Sequence, residues 1–172
     1  MKQIIVVSLA VGLVTGLVGY NAAASGADEG RAPALSELPA GYRDWPLITV
    51  AHEEGKLNDI RAILGNDIAI KAFREGATTY PDGTIIGRLA WDYHPLEESK
   101  AAFGAAQSFV AGLPKNGVQF MVKDATKYAS TGGWGYVEFD DGKPSAKAMP
   151  EACFTCHSVV KDRDFVFSRY AP

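Results

Sequence analysis

The chain opens on a single long apolar stretch and then changes character. Met1-Lys2 leads into an apolar run from Ile4 to Val18, followed by small residues from Asn21 to Ala27. A positive start, an apolar middle and a small-residue end form a secretory signal, with cleavage after Ala24 or Ala27. A retained anchor is the alternative, but the run falls short of the roughly 20 apolar residues of a span and is interrupted by Gly12 and Gly16. Residues 25–40 are Ala, Gly, Pro, Ser and charge, a composition that predicts a flexible lead-in. The folded domain is expected over 41–172, starting at Gly41-Tyr42-Arg43-Asp44-Trp45-Pro46.

Within that domain the apolar positions recur mostly at the period of strands. Leu47–Ala51 predicts a short strand, and Leu57–Leu64 fits either strand or helix. Asn66 or Asp67 can cap a short helix through Phe73, stopped at Arg74-Glu75-Gly76. Tyr80-Pro81-Asp82-Gly83 is a turn. Thr84–Tyr93 follows as a strand, with Ile86, Arg88 and Ala90 on one face and Ile85, Leu89 and Trp91 on the other. Residues 94–116 read as an excursion containing a short helix. Val118–Val122 and Trp134–Phe139 are further strands. Between them lie a helical turn over Lys123–Ser130 and the pair Gly132-Gly133. After the Asp140-Asp141-Gly142 turn, Pro150 can start a helix through Val160, and Phe165-Val166-Phe167 could add an edge strand. The fold class is α+β: mainly antiparallel sheet with short flanking helices, one of them near the C-terminus.

Charge changes this picture little. Lys and Arg total 17 against 20 Asp and Glu, and removal of Lys2 takes the net charge to about −4, a mildly acidic single domain. No basic stripe interleaves with aromatics, so nucleic acid is not an expected partner. Glu97-Glu98 reads as a solvated face.

The candidate chemistry is concentrated in Cys153-Phe154-Thr155-Cys156-His157. Cys-x-x-Cys-His reads as a c-type haem attachment site. Two thiols spaced this way reach one edge of the ring, and the next residue, His157, falls under the iron. A redox Cys-x-x-Cys usually comes early in a βαβ domain, and a zinc site needs further ligands. Haem iron behaviour then depends on the opposite face. Ser158–Pro172 holds neither Met nor His, so the sixth-ligand candidates are Met121, Met149, His52 and His94. Met149 lies on the attachment side, Met121 reads as core, His52 as surface, and His94 as a loop residue beside Pro95. The expectation is five-coordinate iron with an open distal face.

Four stretches resemble the cytochrome P-460 family: Leu57–Asp67 (LNDIRAILGND), Pro81–Trp91 (PDGTIIGRLAW), Val118–Tyr136 (VQFMVKDATKYASTGGWGY) and CFTCH. The resemblance implies a mostly antiparallel β fold, a homodimer and a c-type haem. Its members include hydroxylamine oxidisers and the sibling cytochrome c′-beta, which binds nitric oxide and carbon monoxide without that chemistry. In the oxidisers a lysine is bonded to the haem ring; the matching position here is Arg88, whose guanidinium is always charged and cannot act as that nucleophile. The position matching a distal glutamate is Gln119, which hydrogen-bonds but takes no proton as a carboxylate does. Arg61 matches a pocket arginine, and Lys71 or Lys123 are the other lysines that could approach a haem. Phe120, Trp91 and Trp134 read as core instead of ligand gate.

Three functions follow, in order. The first is a periplasmic haem protein binding nitric oxide or a related small nitrogen-oxide ligand. The second is an oxidoreductase of hydroxylamine, nitric oxide or peroxide. The third is an electron carrier working with a redox partner protein. Cofactor-binding residues on this reading are Cys153, Cys156, His157, Arg61, Arg88 and Gln119, with His157 on the metal.

Overall fold

The computed structural model describes residues 34–147 and 150–172. Six strands form one antiparallel sheet in which each strand pairs with its sequence neighbour. They are β1 (Leu47–Glu53), β2 (Asp59–Gly65), β3 (Ile85–Pro95), β4 (Phe109–Lys123), β5 (Trp134–Asp140) and the short β6 (Lys143–Pro144). Helix α1 (Asp67–Arg74) follows β2, α2 (Glu97–Phe103) joins β3 to β4, and α3 (Pro150–His157) carries the cysteines. The ambiguous segment before α1 is a strand. Among the described residues no helix is long and apolar enough to cross a membrane. The signal reading lies on residues outside those described.

The alternation of side chains along the strands separates two cores, one on each face of the sheet. On one face Ile48, Ile63, Ile86, Trp134 and Tyr136 pack with Ala69, Ile70, Ala72 and Phe73 of α1 and with Val166 of the C-terminal segment. On the other, Phe120, Val137 and Phe139 pack with Tyr128 and Ala34. The stretch from Ala34 to Ala40, expected to be lead-in, lies against this second core through Ala34, Leu35 and Leu38, and the Tyr128 hydroxyl donates to the Ala34 carbonyl. Asn66 caps α1, its side-chain oxygen accepting from Ala69 N at 3.0 Å, and its amide donates to the Gly83 carbonyl. One residue thereby joins the helix start to the turn before β3.

Two sequence expectations need correction. Within residues 94–116 the expected short helix is α2, but its flanks are strand: β3 runs on to Pro95 and β4 begins at Phe109, so the two form a long hairpin bridged by α2. Register shifts on either side of Trp91, opposite Pro114, break the two-residue alternation that would have revealed it. His94 is accordingly a strand residue, paired with Val110. Phe165-Val166-Phe167 forms no strand. Asp164 and Phe165 are both left-handed, with φ of 50° and 63°, which turns the chain inward and buries Val166 in the first core.

Candidate haem site

Helix α3 lies against β5 on the face of the first core. Pro150 stands at its first position, where a missing N–H costs nothing. Three chemically distinctive side chains leave this helix. Cys153 and Cys156 are free and exposed. Partial desolvation pushes the Cys153 thiol up, with Glu138 and Cys156 adding to the shift, so it rests protonated. The His157 ring packs on Tyr136 at 5.2 Å and edge-on to Phe167 at 5.1 Å. His157 Nδ1 lies 2.7 Å from the Phe165 carbonyl oxygen. A carbonyl can only accept, so Nδ1 carries the proton and Nε2 keeps a free lone pair. Burial lowers the His157 pKa and so favours the neutral ring, partly offset by that hydrogen bond, which raises it.

Strand register brings together the residues that face the same side further along the sheet. Ile86, Met121 and Tyr136 form one cross-strand row, and Ile63, Arg88, Gln119 and Glu138 the next. In the second row Arg88 Nη1 donates to Gln119 Oε1 at 3.1 Å, and Gln119 Nε2 donates to Glu138 Oε2 at 2.6 Å. Arg88 Nη2 donates to Asp59 Oδ2 at 2.8 Å. Arg61 Nε donates to Asp59 Oδ1 at 2.8 Å, and its Nη1 lies 3.2 Å from Glu53. Desolvation, followed by the charge of Arg61, lowers the Arg88 pKa, while Asp59 opposes the shift. The three arginine and glutamine candidates thus belong to one continuous hydrogen-bonded network that ends at Glu138, whose charge also reaches the Cys153 thiol.

Three members of the network were missed in the sequence: Asp59, Glu138 and, at the rim, Glu53. Asp59 is wholly buried and lies two residues before Arg61, on the same face. Glu138 continues the alternation Trp134, Tyr136 along β5. Those spacings were readable; which residues they would face was not.

The other candidates disperse. His52 is exposed, with Nε2 2.8 Å from the Tyr93 hydroxyl, and His94 is exposed as well. Met121 packs against the first core. Met149 lies outside the described residues. Lys71 is exposed on α1, and Lys123 is held by Asp164 and the Gly132 carbonyl, so neither is a free amine beside α3. Trp134 is fully buried core, and Phe120 is on the opposite face of the sheet, so neither gates the α3 side. Trp91 is half-buried, and Glu97 and Glu98 are exposed.

The residues around α3 fit a haem. Two free thiols and an imidazole with an available Nε2 share one helix. Beneath it the Tyr136 hydroxyl is buried without a hydrogen-bond partner, a state folded proteins rarely leave uncompensated. No cluster of three or more His, Cys, Asp or Glu suited to a metal ion occurs among the described residues. No curated protein matches the chain. The model of the family Cytochrome P460 matches residues 39–168, which spans the entire sheet and α3. The chain therefore belongs to the cytochrome P460 family and is a haem-binding cytochrome of the c type.

Proposed function

We propose that the protein carries one haem c bound covalently through Cys153 and Cys156, with His157 Nε2 on the iron. On this reading the other iron face stays open for nitric oxide or a related small nitrogen oxide. The observation that carries the reading is the hydrogen bond from His157 Nδ1 to the Phe165 carbonyl, on a helix that also offers two free thiols. A second-sphere carbonyl of this kind fixes the tautomer and raises the donor strength of a metal-binding histidine. Haem supplies an iron centre whose affinity for ligands and electrons depends on that imidazole and on the groups opposite.

The chain's own contribution on the sheet is polar and ordered. Arg88 holds the Gln119 carbonyl oxygen, so the Gln119 amide group is left to donate. Arg88 and Arg61 supply fixed positive charge suited to a polar or anionic ligand. Of the two histidines outside α3, His52 already shares a hydrogen bond with Tyr93. Export to the periplasm and assembly as a homodimer complete the proposal. The first rests on the N-terminal pattern, the second on the family.

Glu138 favours a second reading, oxidation of hydroxylamine or nitric oxide. A carboxylate absent at Gln119 stands directly across the strand pair and could accept a proton there.

Mass spectrometry of the intact protein tests the main proposal. The expected mass is the processed chain plus one haem, retained through acid–acetone, with two thioether bonds and no side-chain-to-ring bond. Haem that extracts, or a third covalent bond, would overturn it.

A further inference from the structure

Phe165 accepts from His157 with its backbone in a conformation that side chains disfavour. Asp164 and Phe165 are consecutive non-glycine residues at φ 50° and 63°. Strain of this kind persists where the surroundings enforce it, and it clusters at functional sites. The enforcing groups surround Asp164. Asp164 Oδ1 accepts from Lys123 Nζ at 2.7 Å, and Oδ2 accepts from Tyr80 N at 2.9 Å. Lys123 Nζ also donates to the Gly132 carbonyl at 3.1 Å and lies 5.1 Å from the Trp134 ring centre. The Lys123 and Asp164 side chains are only 10% and 9% exposed. Gly132 completes the fit: a Cβ there would lie 2.1 Å from Phe165 Cε2, so only glycine admits the ring.

We propose that the buried Lys123–Asp164 pair is a positioning device for the axial histidine. It ties β4 to the C-terminal segment, holds Asp164 and Phe165 in left-handed backbone, and thereby aims the Phe165 carbonyl at His157 Nδ1. Neither residue touches the iron or a ligand. Their influence passes through one carbonyl. This rests on His157 being the axial ligand.

The physical consequence is electronic as well as geometric. A well-aimed Nδ1–H···O=C bond places more negative charge on the imidazole, strengthens its bond to iron and stabilises the ferric state. Slackening the clamp lets the carbonyl turn away, so the histidine becomes a weaker donor and the ferrous state gains. A role confined to stability would lower the melting temperature without changing the iron's electronic properties.

The test uses the holoprotein and the variants Asp164→Asn, Lys123→Met and Lys123→Arg. Asp164→Asn keeps an oxygen for Tyr80 N and removes only the charge, so it covers the case in which Lys123→Met fails to fold. The readouts are the haem midpoint potential and the iron–histidine stretching band of the ferrous protein by resonance Raman. Asp164→Asn and Lys123→Met should lower the band frequency and raise the potential by about 59 mV, a tenfold change in the one-electron equilibrium. Lys123→Arg should return both most of the way. Folded variants with an unmoved band and potential overturn the proposal and leave His157 as ligand. Absence of the band from the unaltered ferrous protein overturns the axial reading itself, and this proposal with it.

Discussion

Two buried aspartates organise this molecule, and they do it differently. Asp59 is wholly enclosed and divides its two oxygens between two guanidinium groups, Arg61 on one and Arg88 on the other. Asp164 serves one ammonium group and one backbone N–H. The chemistry of the cations explains the contrast. A guanidinium has five donors in a rigid plane and can bind a carboxylate while extending further N–H groups elsewhere. Arg88 does so, reaching on to Gln119 and, through it, Glu138. An ammonium is a compact point charge that a folded loop can enclose, and Lys123 ends at Asp164 and the Gly132 carbonyl. The Asp59 network therefore extends outward along the sheet through Arg88, while Arg61 Nη2 stays 2.7 Å from Asp59 Oδ1. The Asp164 pair is closed and holds the backbone on the histidine side.

The largest expected effect belongs to the two thiols of α3. Cys153→Ser with Cys156→Ser should abolish covalent haem entirely, so that acid–acetone leaves a colourless chain. Full retention of haem by the double variant would contradict the attachment proposed here.

Next in size is Asp59→Ala. It leaves two guanidinium groups facing each other in a buried site, and breaking a buried charge pair costs roughly 3–5 kcal/mol. The urea midpoint should fall by more than in any variant of exposed Glu53, whose contact with Arg61 is at the rim. Equal midpoints would mean that Asp59 is not the hub.

Arg88→Leu should weaken binding as well as folding, since Arg61 still holds Asp59 Oδ1 while Oδ2 loses its partner. A hydrogen bond from a charged donor contributes about 1.5–3 kcal/mol, so affinity for nitrite or nitric oxide should drop by roughly tenfold or more. Unchanged affinity by titration would remove Arg88 from the ligand's surroundings.

The smallest effect belongs to Tyr80, beside Asp164. Its hydroxyl is pushed up to about 12, first by burial and then by the Asp164 charge. Between the ordinary value of 10.0 and about 12 the unfolded chain has already lost this proton and the folded one has kept it. Stability must then fall as pH rises through that window. Tyr80→Phe should flatten the alkaline limb of a stability–pH curve; an unchanged slope would mean that another group controls it.

The sheet and the haem helix were legible because their signals are local. Pro81-Asp82-Gly83 marks the turn before β3, Asn66 marks the start of α1, and Cys-x-x-Cys-His needs five adjacent residues. Arg61, Arg88 and Gln119 were singled out by resemblance, and strand register brings them together. Asp59 and Glu138 escaped because their importance lies in cross-strand pairing, which no single strand displays. The long hairpin escaped for a related reason: the irregularities around Trp91 and Pro114 erase the alternation over the stretch where it was needed. The Lys123–Asp164 pair spans 41 positions and depends on a left-handed loop that Phe165, a bulky residue, gives no cause to expect. Local chemistry announces the cofactor, whereas the groups that aim its ligand come from distant parts of the chain.

The proposed haem has its iron held by His157 and its other face open. The absorption spectrum of the dithionite-reduced protein, before and after carbon monoxide, tests it most directly. A five-coordinate high-spin ferrous spectrum that converts fully to a six-coordinate carbonyl form is expected. A low-spin ferrous spectrum unmoved by carbon monoxide, with a methionine-to-iron band in the ferric state, would contradict it.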